Sequence, residues 1–142
     1  MKIEIIKCLK DNFSYLIINE KNSDACVVDP GEAKPVLKFI EENKINLKYI
    51  LNTHHHEDHI GGNSTLKNKF SAKILASEND REKIPEIDIF LSDGQVWKDD
   101  IFEFKVISVP GHTMGHICFH FFNEKIVFTG DTLFSLGCGR VF

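Results

Sequence analysis

The 142-residue sequence contains few cysteines, and no two of them form a Cys-x-x-Cys pair. Cys8, Cys26, Cys118 and Cys138 lie far apart along the chain. This spacing argues against a disulfide framework and against a zinc site built from thiolates. We therefore expect reduced thiols, most of them buried in the core.

The sequence also lacks long apolar runs and any excess of positive charge. No segment approaches the roughly 20 apolar residues that span a membrane, and the start, "MKIEIIKCLKDN", carries charge too early for a secretory signal. The net charge is −4, without a basic stripe, which gives no electrostatic support for binding nucleic acid. We expect a cytoplasmic protein with neither a membrane nor a nucleic-acid partner.

The hydrophobic patterns predict strands alternating with helices. "KIEIIK" and "FSYLIIN" indicate an opening pair of strands, and apolar residues at helical spacing predict a helix from Glu32 to Lys44. Phe102 to Val109 alternates as a half-buried strand does, and "ICFHFF" followed by "KIVFTGD" indicates a hairpin. We predict an α/β fold in which strands outnumber helices, with its chemistry in loops at strand ends.

The stretch "THHHEDHIGGN" follows the predicted strand "KYILNT" and concentrates imidazoles and carboxylates. Side chains alternate in extended chain, so His54 and His56 face one side and His55 the other. Asp58 and His59 follow after the chain has turned, and they could face the same ion or a second one. Imidazole and carboxylate ligands suit zinc, iron or manganese, with zinc the default.

One loop cannot close a tetrahedral metal site, so further ligands must come from elsewhere. "SVPGHTMGH" offers His112 and "VFTGDTLF" offers Asp131, each after a predicted strand. We expect His116 to support a ligand or to pack in the core. His120 is expected to lie on a strand without a catalytic role.

Two other loop features are expected to be structural. Asp29, in "VVDPG", is interpreted mainly as a turn former at a strand end, close to where the metal loops gather. The Gly61-Gly62 pair is expected to let the backbone bend back tightly after the histidines.

The motifs "THHHEDH", "PGHTMGH" and "GDTLF", in this order, resemble the metallo-β-lactamase superfamily. "LKDNFSYLI", "THHHEDHIGGN" and "GDTLFSLGCGR" together resemble its glyoxalase II (hydroxyacylglutathione hydrolase) branch. The resemblance covers all 142 residues. It implies the N-terminal portion of an αββα sandwich with a two-metal site that holds two zinc ions, iron or manganese being possible.

The resemblance also implies a role for each residue that matches a family motif. In the implied arrangement His54, His56 and His112 hold one ion, Asp58 and His59 help to hold the second, and Asp131 bridges both. Asp58 would also orient the attacking water. Arg140 falls where the family has a basic residue that contacts glutathione, and Phe142 falls where it often has an aromatic one.

The implied reaction is hydrolysis of a glutathione thioester, S-D-lactoylglutathione, to D-lactate and glutathione. In the family the chain continues past this point with another histidine ligand and a helical substrate domain, so residues 1–142 are expected to form an incomplete metallo-β-lactamase-like domain. Two alternatives stay open. One is a mononuclear iron enzyme of the persulfide dioxygenase kind, and the other is a metal-binding fragment without catalysis.

Overall fold

The computed structural model describes residues 1–134 and 137–141, in which two β-sheets pack face to face. The strands of the first sheet, in spatial order, are β1 (Lys2–Cys8), β2 (Asn12–Ile18), β3 (Asp24–Val28), β4 (Asn46–Leu51), β5 (Lys73–Ser77) and β6 (Ile89–Leu91). β1, β2 and β3 pair antiparallel, whereas β3, β4, β5 and β6 run parallel. The strands of the second sheet are β7 (Val96–Lys98), β8 (Glu103–Ser108), β9 (Ile117–Phe121) and β10 (Ile126–Phe128), all antiparallel.

The helices are α1 (Ala33–Glu42), α2 (Glu57–Ile60) and α3 (Asn63–Phe70), and a 3₁₀ turn spans Glu78–Asp80. The predicted helix from Glu32 to Lys44 is present as α1. Its buried residues, Val36 and Ile40, are four positions apart and share one face. None of the helices in the described residues is long and apolar enough to cross a membrane.

The six-stranded sheet is apolar on both faces, so it takes part in two cores. Leu16 and Ile50 pack toward α1 and α3, while the next residue of each strand, Ile17 and Leu51, packs toward the other sheet. The core between the sheets is rich in fully buried phenylalanines, namely Phe102, Phe104, Phe119 and Phe121. Burying each of these side chains contributes about 1.5–3 kcal/mol to stability.

These layers confirm the predicted α/β class, in which strands outnumber helices. α1 and α3, the six-stranded sheet and the four-stranded sheet stack as helix, sheet and sheet, as the predicted portion of an αββα sandwich requires. Because β3 and β4 are parallel neighbours, the loops that follow Val28 and Leu51 leave the same edge of the sheet side by side. The histidine cluster starts in the second of these loops.

Candidate metal centre

The loop after β4 is held between the two sheets by backbone hydrogen bonds. Asp29 N donates to Leu51 O at 2.9 Å, and Asn52 N donates to Leu75 O at 3.0 Å. From the other sheet, Ile117 N donates to Thr53 O at 2.9 Å. The start of the histidine cluster is therefore fixed against β3, β5 and β9, which accounts for the complete burial of His54.

A first group of possible metal ligands comes from three loops. One atom from each of His54, His56, His112 and Asp131 lies within 4.8 Å of the others. His112 Nε2 is 3.1 Å from His56 Nδ1 and 3.1 Å from Asp131 Oδ2, and His54 Nε2 is 3.7 Å from the same oxygen. Ligands bound tetrahedrally at about 2.1 Å are about 3.4 Å apart. The spacing therefore fits one tetrahedral ion.

A second group shares Asp131 with the first. Asp58, His59 and Asp131 also offer atoms within 4.8 Å of one another. His59 Nε2 lies 3.2 Å from Asp131 Oδ1 and 3.5 Å from Asp58 Oδ2. Since Asp131 Oδ1 faces this group and Oδ2 faces the first, one carboxylate is placed to bridge two ions.

The hydrogen bonding of the buried histidines tests whether these residues fit a metal. His54 Nε2 is buried, yet it makes no hydrogen bond with any described residue, and the buried His59 Nε2 has only ion-pair contacts, the shorter one at 3.2 Å from Asp131 Oδ1. A buried polar atom without a partner costs roughly 1–3 kcal/mol. Both atoms face the shared Asp131 carboxylate, where a bound cation would satisfy them. The donor set, imidazole and carboxylate, also suits a divalent metal.

Asp29 supports both groups, a role that the sequence interpretation as a turn former missed. Its Oδ2 accepts from the Thr53 hydroxyl and lies 2.9 Å from His59 Nδ1, and its Oδ1 accepts from Thr53 N at 2.8 Å. Thr53 Oγ1 in turn lies 2.9 Å from His54 Nδ1. One buried carboxylate thus orients a histidine of each group. The backbone at Asp29 is left-handed, with φ 50°.

The charges around these histidines shift their pKa values in opposite directions. Burial lowers the pKa of His54 far below its ordinary value, and the neighbouring His59 lowers it further. Burial lowers the pKa of His59 as well, but Asp29 and Asp131 outweigh it and raise that pKa to about 10. In the metal-free protein at neutral pH, His59 is therefore a charged imidazolium and His54 is a neutral imidazole.

The remaining histidines contribute no atom to either group. His55 points to the other side of the loop, where its Nδ1 lies 3.7 Å from the buried carboxylate of Asp80. His116 is fully buried, stacks on His54 at 4.7 Å between ring centroids and accepts from Asp131 N at 3.2 Å. It thereby fixes the loop that carries the shared carboxylate. His120 lies on β9.

Asp58 lies at the open side of the centre, and Arg140 is the one expected substrate-binding residue among the described residues. Asn12 Nδ2 donates to Asp58 Oδ2 at 2.9 Å and to Asp58 O at 3.0 Å, and the Asp58 side chain is 47% exposed. Arg140 is exposed, and its backbone carbonyl lies against His112. Phe142, the other expected substrate contact, lies outside the described residues.

A groove of about 900 Å³ opens next to Asp58 and Asp131. Its apolar wall includes Tyr15, Phe128 and Leu133, and His59 and the two aspartates form its polar end. The groove has the size of a small-molecule site. It is lined by all three residues of the second group and meets the first group at the shared Asp131.

The fold and this ligand pattern define a class of metalloprotein. The sequence profile of the metallo-beta-lactamase superfamily matches residues 10–141, and the chain belongs to that superfamily. Within it, the whole chain is similar to the hydroxyacylglutathione hydrolase of Pelagibacter ubique (strain HTCC1062), with 57% identity over 142 residues. The chain spans 59% of the length of that relative.

Two solved structures share the fold. The BLEG-1 B3 metallo-beta-lactamase superposes with a TM-score of 0.91 at 24% identity, covering 98% of this chain and 76% of the other. TTHA1623 in a di-iron-bound form superposes with a TM-score of 0.74 at 26% identity, covering 90% of this chain and 71% of the other. The second shows that a protein with this fold can hold two metal ions.

Proposed function

We propose that this chain carries the metal centre of a hydrolase that cleaves a glutathione thioester, S-D-lactoylglutathione, into D-lactate and glutathione. The observation that carries the proposal is the Asp131 carboxylate, which presents one oxygen to each of two ligand groups. The name and 57% identity of the Pelagibacter ubique relative support the substrate class. The proposed metals are two zinc ions, with iron or manganese as possible replacements.

Each residue of the centre has a proposed role. His54, His56 and His112 would hold the first ion, Asp58 and His59 would help to hold the second, and Asp131 would offer one oxygen to each. A bound pair of divalent ions supplies Lewis acidity and lowers the pKa of water toward 7. The protein residues fix the ligand atoms, bind the substrate and position the water.

Asp58 is proposed to position the attacking water as well as to bind metal. Asn12 holds Asp58 Oδ2 by a hydrogen bond of 2.9 Å, which orients the carboxylate at the mouth of the groove. Water adds to the thioester carbonyl carbon and the carbon–sulfur bond breaks, so that a carboxylic acid and a thiol result. A thiolate leaves readily, and strong general-acid catalysis is not required.

The substrate is proposed to lie in the groove beside the centre. Its acyl carbon would sit at the polar end, near Asp58 and Asp131, and the rest would extend along the apolar wall. Arg140 is proposed to contact a glutathione carboxylate, because a guanidinium forms paired hydrogen bonds with carboxylates. Phe142 is proposed as an aromatic contact of the same ligand.

The test is thiol release from S-D-lactoylglutathione by the purified chain, loaded in turn with zinc, iron or manganese. We expect hydrolysis with at least one of these metals, and a loss of at least about 100-fold when Asp131→Ala removes the bridge. His120→Ala is the matched control, because this histidine lies outside both groups. A chain that binds two ions but releases no thiol would contradict the proposal.

The same preparations decide between the two alternatives. Uptake of oxygen with a persulfide substrate, at one iron per chain, would identify the mononuclear iron enzyme. Tight metal binding with neither reaction would identify a metal-binding fragment. The presence of two ligand groups, instead of one, favours the hydrolase.

A further inference from the structure

The backbone at the C-terminal end of the described residues returns to the metal centre. Gly139 N donates to Asp131 O at 2.7 Å. The next residue, Arg140, places its carbonyl oxygen 2.6 Å from His112 Nδ1. Two consecutive backbone groups therefore contact two residues of the first ligand group, although they are 8 and 28 positions away along the chain.

We propose that the Gly139–Arg140 backbone is a positioning element that fixes the orientation and the tautomer of His112. A carbonyl oxygen only accepts hydrogen bonds, so His112 Nδ1 must carry the proton that is donated to Arg140. The lone pair of the ring is then on Nε2, the atom that lies 3.1 Å from both Asp131 Oδ2 and His56 Nδ1. Metal-binding histidines generally need such a partner on the other ring nitrogen.

Gly139 is required at its position because of close contacts. A Cβ atom there would lie 2.1 Å from Asp131 O and 2.9 Å from His112 Nδ1. The first distance is far below van der Waals contact with a backbone atom, so any side chain would push the segment away from the centre. Gly137, two residues earlier, has no atom of a described residue within 4 Å of the equivalent position. The two glycines therefore form a matched pair for substitution.

The role of the Arg140 backbone differs from the role proposed for its side chain. The side chain is exposed, and substitution by alanine leaves the carbonyl in place. Arg140→Ala should thus affect substrate binding and spare the metal centre. This inference rests on the proposed function, since His112 matters here as a metal ligand. The contact between Arg140 O and His112 Nδ1 can nevertheless be measured without substrate and without metal.

The experiment compares the wild-type chain with the variants Gly139→Ala, Gly137→Ala and Arg140→Ala. The first readout is the ring Nδ1 proton of His112 by NMR in ¹⁵N-histidine-labelled protein, assigned with His112→Gln, before and after zinc is added. The second readout is the zinc dissociation constant. We expect a slowly exchanging, hydrogen-bonded Nδ1 proton in the wild type, in Gly137→Ala and in Arg140→Ala.

In Gly139→Ala this proton should exchange rapidly, and the zinc dissociation constant should rise about 10–100-fold, the usual effect of losing the partner of a histidine ligand. The inference is overturned if Gly139→Ala keeps the wild-type proton signal, or if wild-type His112 carries no proton on Nδ1. The wild-type measurement alone can overturn the inference, so the experiment still tests it if Gly139→Ala does not fold. Failure of the wild type to bind zinc would instead contradict the proposed function.

Discussion

Each of the two oxygens of Asp131 faces one group of possible ligands, and these groups form the two halves of the metal centre. Each half contains one buried histidine, His54 or His59, whose Nε2 makes no hydrogen bond with a described residue. Asp29 supports both of these histidines from the side away from Asp131. At the scale of single residues, the centre is therefore a set of imidazoles held between two carboxylates. Each substitution in this set should affect the half of the centre in which its side chain lies.

Substitution of His56 should weaken the first half selectively. His56→Ala leaves three ligand residues there, so zinc should bind at least about 10-fold more weakly, as for other losses in a ligand shell. His120→Ala should leave zinc binding unchanged, since this histidine lies on β9 and belongs to neither group. Elemental analysis after dialysis against a weak chelator measures the difference. Equal zinc loss in both variants would show that the ligand set is wrong.

The contact of Asp29 and Asp131 with His59 should make the metal-free protein less stable as the pH rises. The pKa of His59 is about 10 in the folded protein, above its ordinary value of 6.5. Between these values the folded state keeps a proton that the unfolded state has lost, so stability present below pH 6.5 falls as the pH rises toward 10. Denaturant unfolding between about pH 7.5 and about pH 8, above the ordinary pKa of the other histidines and below that of the thiols, should show a decrease of up to about 1.4 kcal/mol per pH unit.

The matched control for this pH dependence is His59→Gln, which removes the titrating group and keeps a polar side chain. Its unfolding free energy should be lower than that of the wild type at neutral pH and should change less with pH. A wild-type protein whose stability is constant or increases over this range would contradict the assignment of the proton to His59.

At the scale of elements, α2 and the loop after β3 are packed backbone against backbone. A Cβ atom at Gly61 would lie 2.4 Å from Gly31 O, and one at Gly31 would lie 2.0 Å from Asp58 O. Gly61 itself has ordinary right-handed dihedrals, φ −57° and ψ −26°. The chain does turn at Gly61-Gly62, between α2 and α3, as expected, but the dihedrals of Gly61 are open to any residue. The glycine allows close contact between α2 and the loop after β3, and Asp58 of α2 also accepts a hydrogen bond from Asn12.

Alanine at Gly61 should push α2 away from the loop after β3. We expect Gly61→Ala to lower the free energy of unfolding by about 1–3 kcal/mol, the usual cost of overpacking, and to weaken metal binding by the second group. Gly111→Ala is the matched control, because in the described part of the chain no atom lies within 4 Å of the equivalent position there. Denaturant unfolding and metal titration of both variants measure the effect. A Gly61→Ala protein as stable as the Gly111→Ala protein would rule out the close contact.

At the scale of the whole molecule, the metal centre joins parts of the chain that the two sheets carry separately. His54, His56 and His59 follow a strand of the six-stranded sheet, while His112 and Asp131 lie in loops next to strands of the four-stranded sheet. A metal that binds both sets stabilises the packing of one sheet on the other. Such binding favours the folded state, since the unfolded chain does not hold these residues together.

Removing metal should therefore lower the melting temperature. With zinc at about 100 times its dissociation constant, the gain of about 2.7 kcal/mol corresponds to roughly 5–10 °C. Differential scanning calorimetry of chelator-treated protein, before and after zinc is added, measures the shift. Calcium should have little effect, because it prefers ligand sets made of oxygen atoms. Equal shifts with zinc and calcium would indicate non-specific binding.

The sequence alone predicts the class of fold and the candidate ligands, because both depend on local patterns. Alternation of apolar residues is a property of neighbouring positions, and it predicts the opening strands, the hairpin of β9 and β10 and the helix α1. It does not predict α2 or β6, because these elements are only four and three residues long, too short for a period to be recognised. The spacing of His54, His56, Asp58 and His59 likewise indicates a metal site within a single loop.

Only the tertiary structure decides how these residues are supported. Asp29 is 30 positions from His59, and the Arg140 carbonyl is 28 positions from His112. No local pattern marks these contacts. They exist because β3 and β4 are parallel neighbours, and because the chain after Asp131 returns to the centre. The position of Asp131 between the two groups of possible ligands has the same origin, since it depends on how the two sheets pack against each other.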